Sequence, residues 1–147
     1  MRERSFTKKM LELKQQEAEL KPSSFDIILK IGGGSFGQVY LVKNLHTERI
    51  LAMKVVQKEV LRKSSLLGYA QLERDIVKDF HNHPFIVSLN HAFQTPEKLF
   101  LCLEYCHGGD LGKTLRLTGL LTEDVARLYL AEICLGLEGL HLKNIVY

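Results

Sequence analysis

The 147-residue sequence contains no tryptophan, only three prolines and only three cysteines. Cys102, Cys106 and Cys134 form no C-x-x-C pair, and their odd number argues against a disulfide framework. We interpret them as buried thiols of a protein in a reducing compartment. No apolar run approaches the ~18 residues of a membrane span, and the first residues are not typical of a signal peptide. These absences favour a cytoplasmic or nuclear protein.

A strong excess of one charge is also lacking, because 20 lysines and arginines face 17 aspartates and glutamates, for a net charge of +3. The basic residues are scattered along the chain, so nothing in the sequence indicates nucleic-acid binding. The six histidines are not spaced as metal ligands. The length fits one domain, or one domain with part of another, and the 46% hydrophobic content is typical of a globular protein.

Glycine is concentrated in one stretch, where Gly32, Gly34 and Gly37 follow the pattern G-x-G-x-x-G. Apolar residues alternate before it and strand-forming residues follow it, which predicts strands over 25–32 and 36–44. The alternating apolar residues are Phe25, Ile27, Leu29 and Ile31. A dinucleotide-binding fingerprint would open a helix and a Walker loop would need Gly-Lys-Ser/Thr, so both are excluded. A flap of bare backbone N–H groups suits the phosphates of a nucleotide. A glycine-rich hairpin without a ligand is the alternative.

A third strand is predicted over 49–57, where Lys54 shares one face with apolar side chains. The apolar residues on that face are Ile50, Ala52 and Val56. Segment 69–81 has helical apolar spacing, and Glu73 borders its apolar face. Breaking a buried ion pair costs about 3–5 kcal/mol, so an inward lysine and an inward glutamate need each other. We therefore predict a Lys54–Glu73 ion pair; an edge-strand lysine that reaches water is the alternative.

Three patterns together resemble the small lobe of a eukaryotic protein kinase. They are Gly32-x-Gly34-x-x-Gly37-x-Val39, Ala52-Met53-Lys54 and the helix residue Glu73. Further segments are similar to the fourth strand, fifth strand and hinge of that family: His83–Val87, Leu99–Tyr105 and Gly108–Leu111. In character the sequence is similar to the AGC group, the serine/threonine kinases related to the cAMP-dependent enzyme. The similarity extends from about Phe25 to Tyr147.

This resemblance implies an α+β fold, with a five-stranded antiparallel sheet and a regulatory helix followed by the first helices of the large lobe. We expect an N-terminal amphipathic helix over 1–22, the ATP-binding small lobe over 23–105, and the hinge and start of the large lobe over 106–147. The later elements are predicted as strands over 85–93 and 98–105 and helices over 111–117 and 122–141.

The resemblance also implies an ATP-binding site around the glycine flap. Leu103 would be the gatekeeper beside the adenine, whose edge would be hydrogen-bonded by the backbone of Glu104 and Cys106. Lys54, oriented by Glu73, would reach the phosphates. The adenine would be covered by Ile31, Val39 and Ala52, and the flap would comprise Gly32, Gly33, Gly34, Ser35, Phe36 and Gly37. Plain core packing is the alternative for the apolar positions.

Asp110 has two interpretations. As structure, it is a good N-cap for the helix that follows it. As function, the acidic residue of the family at this place contacts the ribose or an arginine of the substrate. That residue is usually the longer glutamate, and Gly112 replaces a bulkier residue, so the support for a basic substrate is weak. Capping alone, or capping together with ribose contact, both stay open.

Tyr147 is the last residue, and in AGC-type kinases a tyrosine in this place opens the catalytic loop, followed by Arg-Asp. By resemblance, the aspartate that orients the substrate hydroxyl and the residues that hold magnesium lie beyond it. We therefore expect no catalytic residue and no metal ligand within the chain. The complete form is expected to use ATP and magnesium, and the 147 residues alone are expected to be inactive.

The predicted function is the ATP-binding portion of a protein kinase whose complete form transfers the γ-phosphate of Mg-ATP to protein serine or threonine. A non-catalytic pseudokinase or a truncated interaction module is the alternative. A hydrophobic C-terminal tail docking near Lys58 and Leu61 is a further hypothesis. The helix over 122–141 is apolar nearly all round, so we expect the isolated chain to self-associate.

Overall fold

The first two thirds of the chain contain the strands of one antiparallel sheet, whose side chains alternate between its two faces, and helices follow it. The computed structural model describes residues 20–34, 37–63, 80 and 82–146. A 3-10 turn at Pro22–Ser24 leads into the sheet. The strands are β1 (Phe25–Gly34), β2 (Gly37–Asn44), β3 (Ile50–Gln57), β4 (Leu89–Gln94) and β5 (Lys98–Glu104). The helices are α1 (Lys58–Lys63), α2 (Leu111–Thr118) and α3 (Glu123–Leu142).

The strand order is β1-β2-β3-β5-β4, and every neighbouring pair is antiparallel. This arrangement confirms the predicted α+β class and its five-stranded sheet. The central position of β3 puts its side chains in register with β2 on one side and β5 on the other. The predicted helices over 1–22 and 69–81 lie outside the described residues, apart from the last residues of the first and Phe80 of the second. Within the described ranges, no helix has both the length and the apolar character needed to span a bilayer.

An aromatic stack forms the core on one face of the sheet. The ring of Phe93 stacks on Phe100 at 4.7 Å between centroids, and Phe25 stacks on Phe93 at 5.5 Å. Since Phe25 begins one edge strand and Phe93 lies on the other, the sheet must curl until its edges approach. The other buried members are Val42, Leu51, Met53 and Cys102. Burial raises the pKa of the Cys102 thiol to about 12.

The face that carries Lys54 is less buried than the sequence predicts. Val56 is buried, but Ala52 and Lys54 are half-buried and Ile50 is exposed. The prediction of a buried face was therefore wrong for the described part of the structure. Leu51 and Met53, which alternate with those residues, point into the aromatic core instead.

Two bulges interrupt the predicted alternation in β1. Ile27 is the partner of Val42 and Leu29 of Leu41, with a register shift between them. A second shift lies between Lys30 and Gly32. Val42 and Leu41 are consecutive, so Ile27 and Leu29 lie on opposite faces of the sheet. The strand itself was predicted correctly, but its apolar residues do not share one face.

The predicted start of β4 at Phe85 was wrong, because Pro84 and Phe85 lie in a turn, Ile86 lies in a bend and the strand begins at Leu89. The Phe85 N–H donates to Nδ1 of His83 at 3.3 Å, and the Ile86 N–H donates to the His83 carbonyl at 3.4 Å. These local bonds use donors that a strand would give to its neighbour. The short helix α1 was not predicted.

The N-termini of helices α2 and α3 differ in how they are capped. Asp110 Oδ1 accepts from the Lys113 N–H at 2.6 Å, which confirms its capping role. Thr122 occupies the N-cap of α3 without a side-chain cap bond, and only its carbonyl accepts from the Ala126 N–H. Helix α3 exposes several apolar side chains, including Leu128, Leu130 and Ile133. This exposure is consistent with the expected self-association, which stays a prediction.

We expect Asn44→Ala to lower the free energy of unfolding by about 1–3 kcal/mol, because it removes the acceptor of two backbone hydrogen bonds, each of which contributes about 0.5–1.5 kcal/mol. Asn44 is 1% exposed, and its Oδ1 accepts from the N–H groups of His46 and Thr47 at 2.9 and 3.1 Å. Urea unfolding measures the effect. Thr47→Ala is the control, since its exposed side chain makes no such bond. Equal stability of the two variants would contradict this account of the turn.

Candidate functional site

The glycine stretch forms the hairpin between β1 and β2. Gly34 is the register partner of Gly37, Gly33 of Gln38 and Gly32 of Val39. Ser35 and Phe36, at the tip, lie outside the described residues. The predicted strand–turn–strand is therefore confirmed on both sides of the tip.

Gly34 and Gly37 are glycines for different reasons. A Cβ on Gly37 would collide with the backbone carbonyl of Val55 in β3, so this position excludes every larger residue. A Cβ on Gly34 would meet no heavy atom of the described residues within 4 Å. Packing thus explains Gly37, whereas the open space beside Gly34 would admit a ligand close to the backbone.

The sheet register brings four predicted residues together on the face opposite the aromatic core. One row across the sheet runs through Gly32, Val39, Lys54 and Leu101. The next row runs through Leu41, Ala52 and Leu103. Neighbouring strands lie about 4.8 Å apart, so Val39, Lys54, Ala52 and Leu103 form one contiguous patch. Ile31 lies beside this patch in the second bulge of β1 and is 39% exposed.

Glu73 lies outside the described residues, so its ion pair with Lys54 stays a prediction. Lys54 itself is half-buried, directly across from Val39. A lysine in this place brings a positive charge to the base of the glycine hairpin. Such a charge suits a phosphate held beneath the hairpin.

The segment after β5 is held to the loop before β4. The Glu104 N–H donates to the Ser88 carbonyl at 3.0 Å, and the Ser88 N–H donates to Glu104 Oε2 at 3.3 Å. The Cys106 carbonyl accepts from the Gly109 N–H at 3.1 Å. The N–H of Cys106 makes no hydrogen bond within the described part of the chain, so it is available to a ligand. Asp110 lies further along, exposed, with one carboxylate oxygen used by its cap.

Comparison with known families decides what this arrangement is. The profile of the protein kinase domain matches residues 25–147, which is most of the chain. The chain belongs to the protein kinase family. The resemblance inferred from the glycine pattern, the lysine strand and the hinge is thereby confirmed.

Its relatives are serine/threonine kinases of the AGC type. The kinase chain is 43% identical over 137 residues to the serine/threonine-protein kinase nrc-2 of Neurospora crassa, covering 92% of this chain and 22% of that protein. It is 41% identical over 125 residues to the serine/threonine-protein kinase sgk-1 of Caenorhabditis elegans, covering 85% and 27%. With ribosomal protein S6 kinase alpha-1 of Homo sapiens, identity is 42% over 129 residues, covering 86% and 17%. The chain spans between 16% and 27% of the length of the curated relatives it matches.

A cavity of about 470 Å³ in this kinase chain lies beside the hinge, between the loop at 84–87 and helices α2 and α3. Glu104, Cys106 and Asp110 line it, but Val39, Ala52 and Lys54 do not. The cavity is therefore distinct from the patch under the glycine hairpin. The candidate site is the patch that the sheet register forms from Val39, Lys54, Ala52 and Leu103.

Two contacts near the candidate site were not predicted from the sequence. Cβ atoms on Gly136 and Gly139 of α3 would lie 3.3 Å from the Phe85 carbonyl and 2.7 Å from His83 Nε2. These glycines let the loop before β4 pack directly on α3. The same loop contains Ser88, which is hydrogen-bonded to Glu104 at the end of β5. Two glycines three residues apart in an apolar helix are a signal that could have revealed this contact. A Cβ on Gly33 would also meet the side chain of Lys30, which folds over the hairpin.

Alanine substitutions at Gly34 and Gly37 should distinguish a packing role from a role in ligand access. Gly37→Ala should lower the free energy of unfolding by about 1–3 kcal/mol, because its methyl group overlaps a backbone oxygen. Gly34→Ala should leave stability nearly unchanged but weaken nucleotide binding. Urea unfolding and the ATP-dependent shift in Tm measure the two effects. A Gly34→Ala protein that binds nucleotide as well as the parent would contradict the assignment of that open space.

Proposed function

We propose that these 147 residues are the nucleotide-binding part of a protein kinase that, in its complete form, transfers the γ-phosphate of Mg-ATP to serine or threonine. The row of Gly32, Val39 and Lys54 across three strands carries this proposal. It combines a side-chain-poor hairpin, an apolar surface and a cation within one patch. Two of the relatives cited above are named serine/threonine-protein kinases, and these names support the choice of acceptor.

In this proposal the nucleotide lies between the hairpin and the patch. The N–H groups of the hairpin face the phosphates, and Lys54 donates to them, held in place by Glu73. The adenine lies against Ile31, Val39, Ala52 and Leu103. Its edge bonds to the carbonyl of Glu104 and the free N–H of Cys106. ATP supplies the phosphoryl group, while these residues bind and orient it.

Asp110 combines two roles in the proposal. Its Oδ1 is used by the Lys113 N–H, so the cap is secured whether or not a ligand is present. The second carboxylate oxygen of this exposed residue is left for the ribose. The proposed division of the chain is an N-terminal helix over 1–22, a small lobe over 23–105 and the beginning of the large lobe over 106–147. Magnesium ligands are assigned to sequence that follows these residues in the complete form.

A non-catalytic pseudokinase or interaction module is the second candidate. The exposed apolar side chains of α3 favour this second candidate, because exposed apolar patches mark surfaces that bind other proteins. The docking of a hydrophobic tail near Lys58 and Leu61 is retained only in a restricted form. Lys58 Nζ already donates to the Thr95 carbonyl at 2.7 Å, and Leu61 is 3% exposed. A tail would therefore have to bind beside them, and a peptide titration without saturation would remove the hypothesis.

Mg-ATP at millimolar concentration should raise the Tm of the 147-residue chain, and Lys54→Met should abolish most of that shift. A charge-assisted hydrogen bond contributes about 1.5–3 kcal/mol, so the affinity should fall about tenfold to a hundredfold. Lys63→Met is the matched control, because this exposed lysine pairs with Glu59 on α1. Circular dichroism checks that both variants fold. Equal ATP shifts in the two variants would argue against the proposed site.

A polypeptide limited to residues 1–147 should transfer no phosphate from ATP to serine/threonine peptides. Phosphoryl transfer requires that the acceptor hydroxyl and magnesium be held in position, and Lys54 and the hairpin hold neither of them. Radiolabelled ATP and a mixed peptide substrate provide the assay. A polypeptide extended through the catalytic loop of the parent sequence is the comparison. Transfer by 1–147 that Lys54→Met blocks would overturn this prediction.

A further inference from the structure

The turn between β4 and β5 contains Thr95 and Pro96, and nowhere else in the sequence does a proline follow a serine or threonine. Pro96 and Glu97 are exposed at the tip, and Thr95 is half-buried. The Thr95 N–H donates to the Lys98 carbonyl at 2.9 Å, and the Lys98 N–H donates to Thr95 Oγ1 at 3.1 Å. The hydroxyl oxygen therefore takes the bond that the Thr95 carbonyl accepts in an ordinary β-turn.

A lysine of α1 binds the carbonyl that this arrangement leaves over. Lys58 Nζ donates to the Thr95 carbonyl at 2.7 Å, and the Lys58 N–H donates to the Glu97 carbonyl at 2.9 Å. The first residue of α1 is thus attached to the turn by its backbone and by its side chain. An ammonium group has three donors, so Lys58 can keep its bond to the carbonyl and donate to a second acceptor beside Thr95 as well.

The charges of the turn and of the lysine bound to it favour an added anion. Lys58 and Lys98 are cations, and Glu97 is the acid among these residues. Since Oγ1 and the carbonyl oxygen belong to the same residue, a group attached to Thr95 Oγ1 comes within reach of the ammonium that binds the carbonyl. A phosphate would bring a charge of about −1.5 to −2 and strong acceptor oxygens to this place.

We propose that Thr95 is a phosphorylation site for a protein kinase that selects a proline after its acceptor residue, and that Lys58 holds the phosphate. In the modifying step an Oγ1–P bond forms, and the bond between the γ-phosphorus of ATP and its β,γ-bridging oxygen breaks. The hydroxyl proton passes to the base of the modifying kinase, and ADP is released. The proposal does not depend on nucleotide binding by the chain itself.

The position of the turn gives an enzyme access to Thr95. Among the described strands, β4 is an edge strand with β5 as its one neighbour. The end of β4 can separate from β5 without breaking a second ladder, and such local opening costs less than unfolding the sheet. A residue before proline also favours extended backbone, which suits a segment bound as a strand. After modification the phosphate ties the turn more firmly to α1.

Phosphate incorporation tests the site. The 147-residue chain is incubated with ATP and a proline-directed serine/threonine kinase, and mass spectrometry should find one phosphate, on Thr95. Pro96→Ala should abolish most of the incorporation, and Thr95→Val should abolish all of it. Circular dichroism checks that the variants fold. A peptide of residues 91–100 is the control for the enzyme. A chain that stays unmodified while this peptide is phosphorylated would overturn the proposal, as would phosphate only on another residue.

Thermal unfolding tests the role of Lys58. Phosphorylation should raise the Tm by about 2–4 °C, the shift expected of one further charge-assisted hydrogen bond in a chain of this size. Lys58→Met should lose most of this gain, measured between its own modified and unmodified forms. Lys63→Met is the matched control and should keep the gain, because this exposed lysine of α1 pairs with Glu59. An unchanged Tm, or equal gains in the two lysine variants, would overturn the assignment of Lys58.

Discussion

The antiparallel register between β2 and β3 is the constraint on which the candidate site depends. Side chains alternate between the two faces of a strand, so a slip of one residue would exchange Lys54 with Met53. The ladder is secured at both ends. At one end Gly37 packs against the Val55 carbonyl, where no larger residue fits. At the other end the buried side chain of Asn44 closes the turn into β3. The position of the lysine beside the glycine hairpin follows from these two contacts.

The two faces of the sheet have different roles. The aromatic stack of Phe25, Phe93 and Phe100 curls the sheet and draws its edges together. This packing stabilises the strands without using the face that carries Lys54 and Ala52. Among the described residues the face of Lys54 and Ala52 is the less buried one, and it is the face that we propose for the nucleotide. In this protein kinase, the core and the candidate nucleotide surface are separated by the thickness of one sheet.

The hinge is supported from outside the sheet as well. Glu104 exchanges hydrogen bonds with Ser88, and the loop that contains Ser88 is continuous with the turn packed on Gly136 and Gly139 of α3. The small lobe therefore meets the first large-lobe helices through two connections, the covalent hinge and this glycine contact. At the outer edge of the sheet, β1 keeps three apolar side chains exposed, namely Ile27, Ile28 and Leu29.

The sequence by itself determined the strand–turn–strand around the glycines, the lysine on β3, the cap of α2 and the protein kinase family. These features depend on local patterns, such as alternation with period two, glycine spacing and a capping aspartate before a helix. Only the tertiary structure decided which face of β3 is buried, where β1 shifts its register and where β4 begins. It also revealed that the loop before β4 packs on α3. Such features depend on contacts between residues far apart in the chain, such as Phe25 with Phe93, and no local pattern encodes the curl that brings them together.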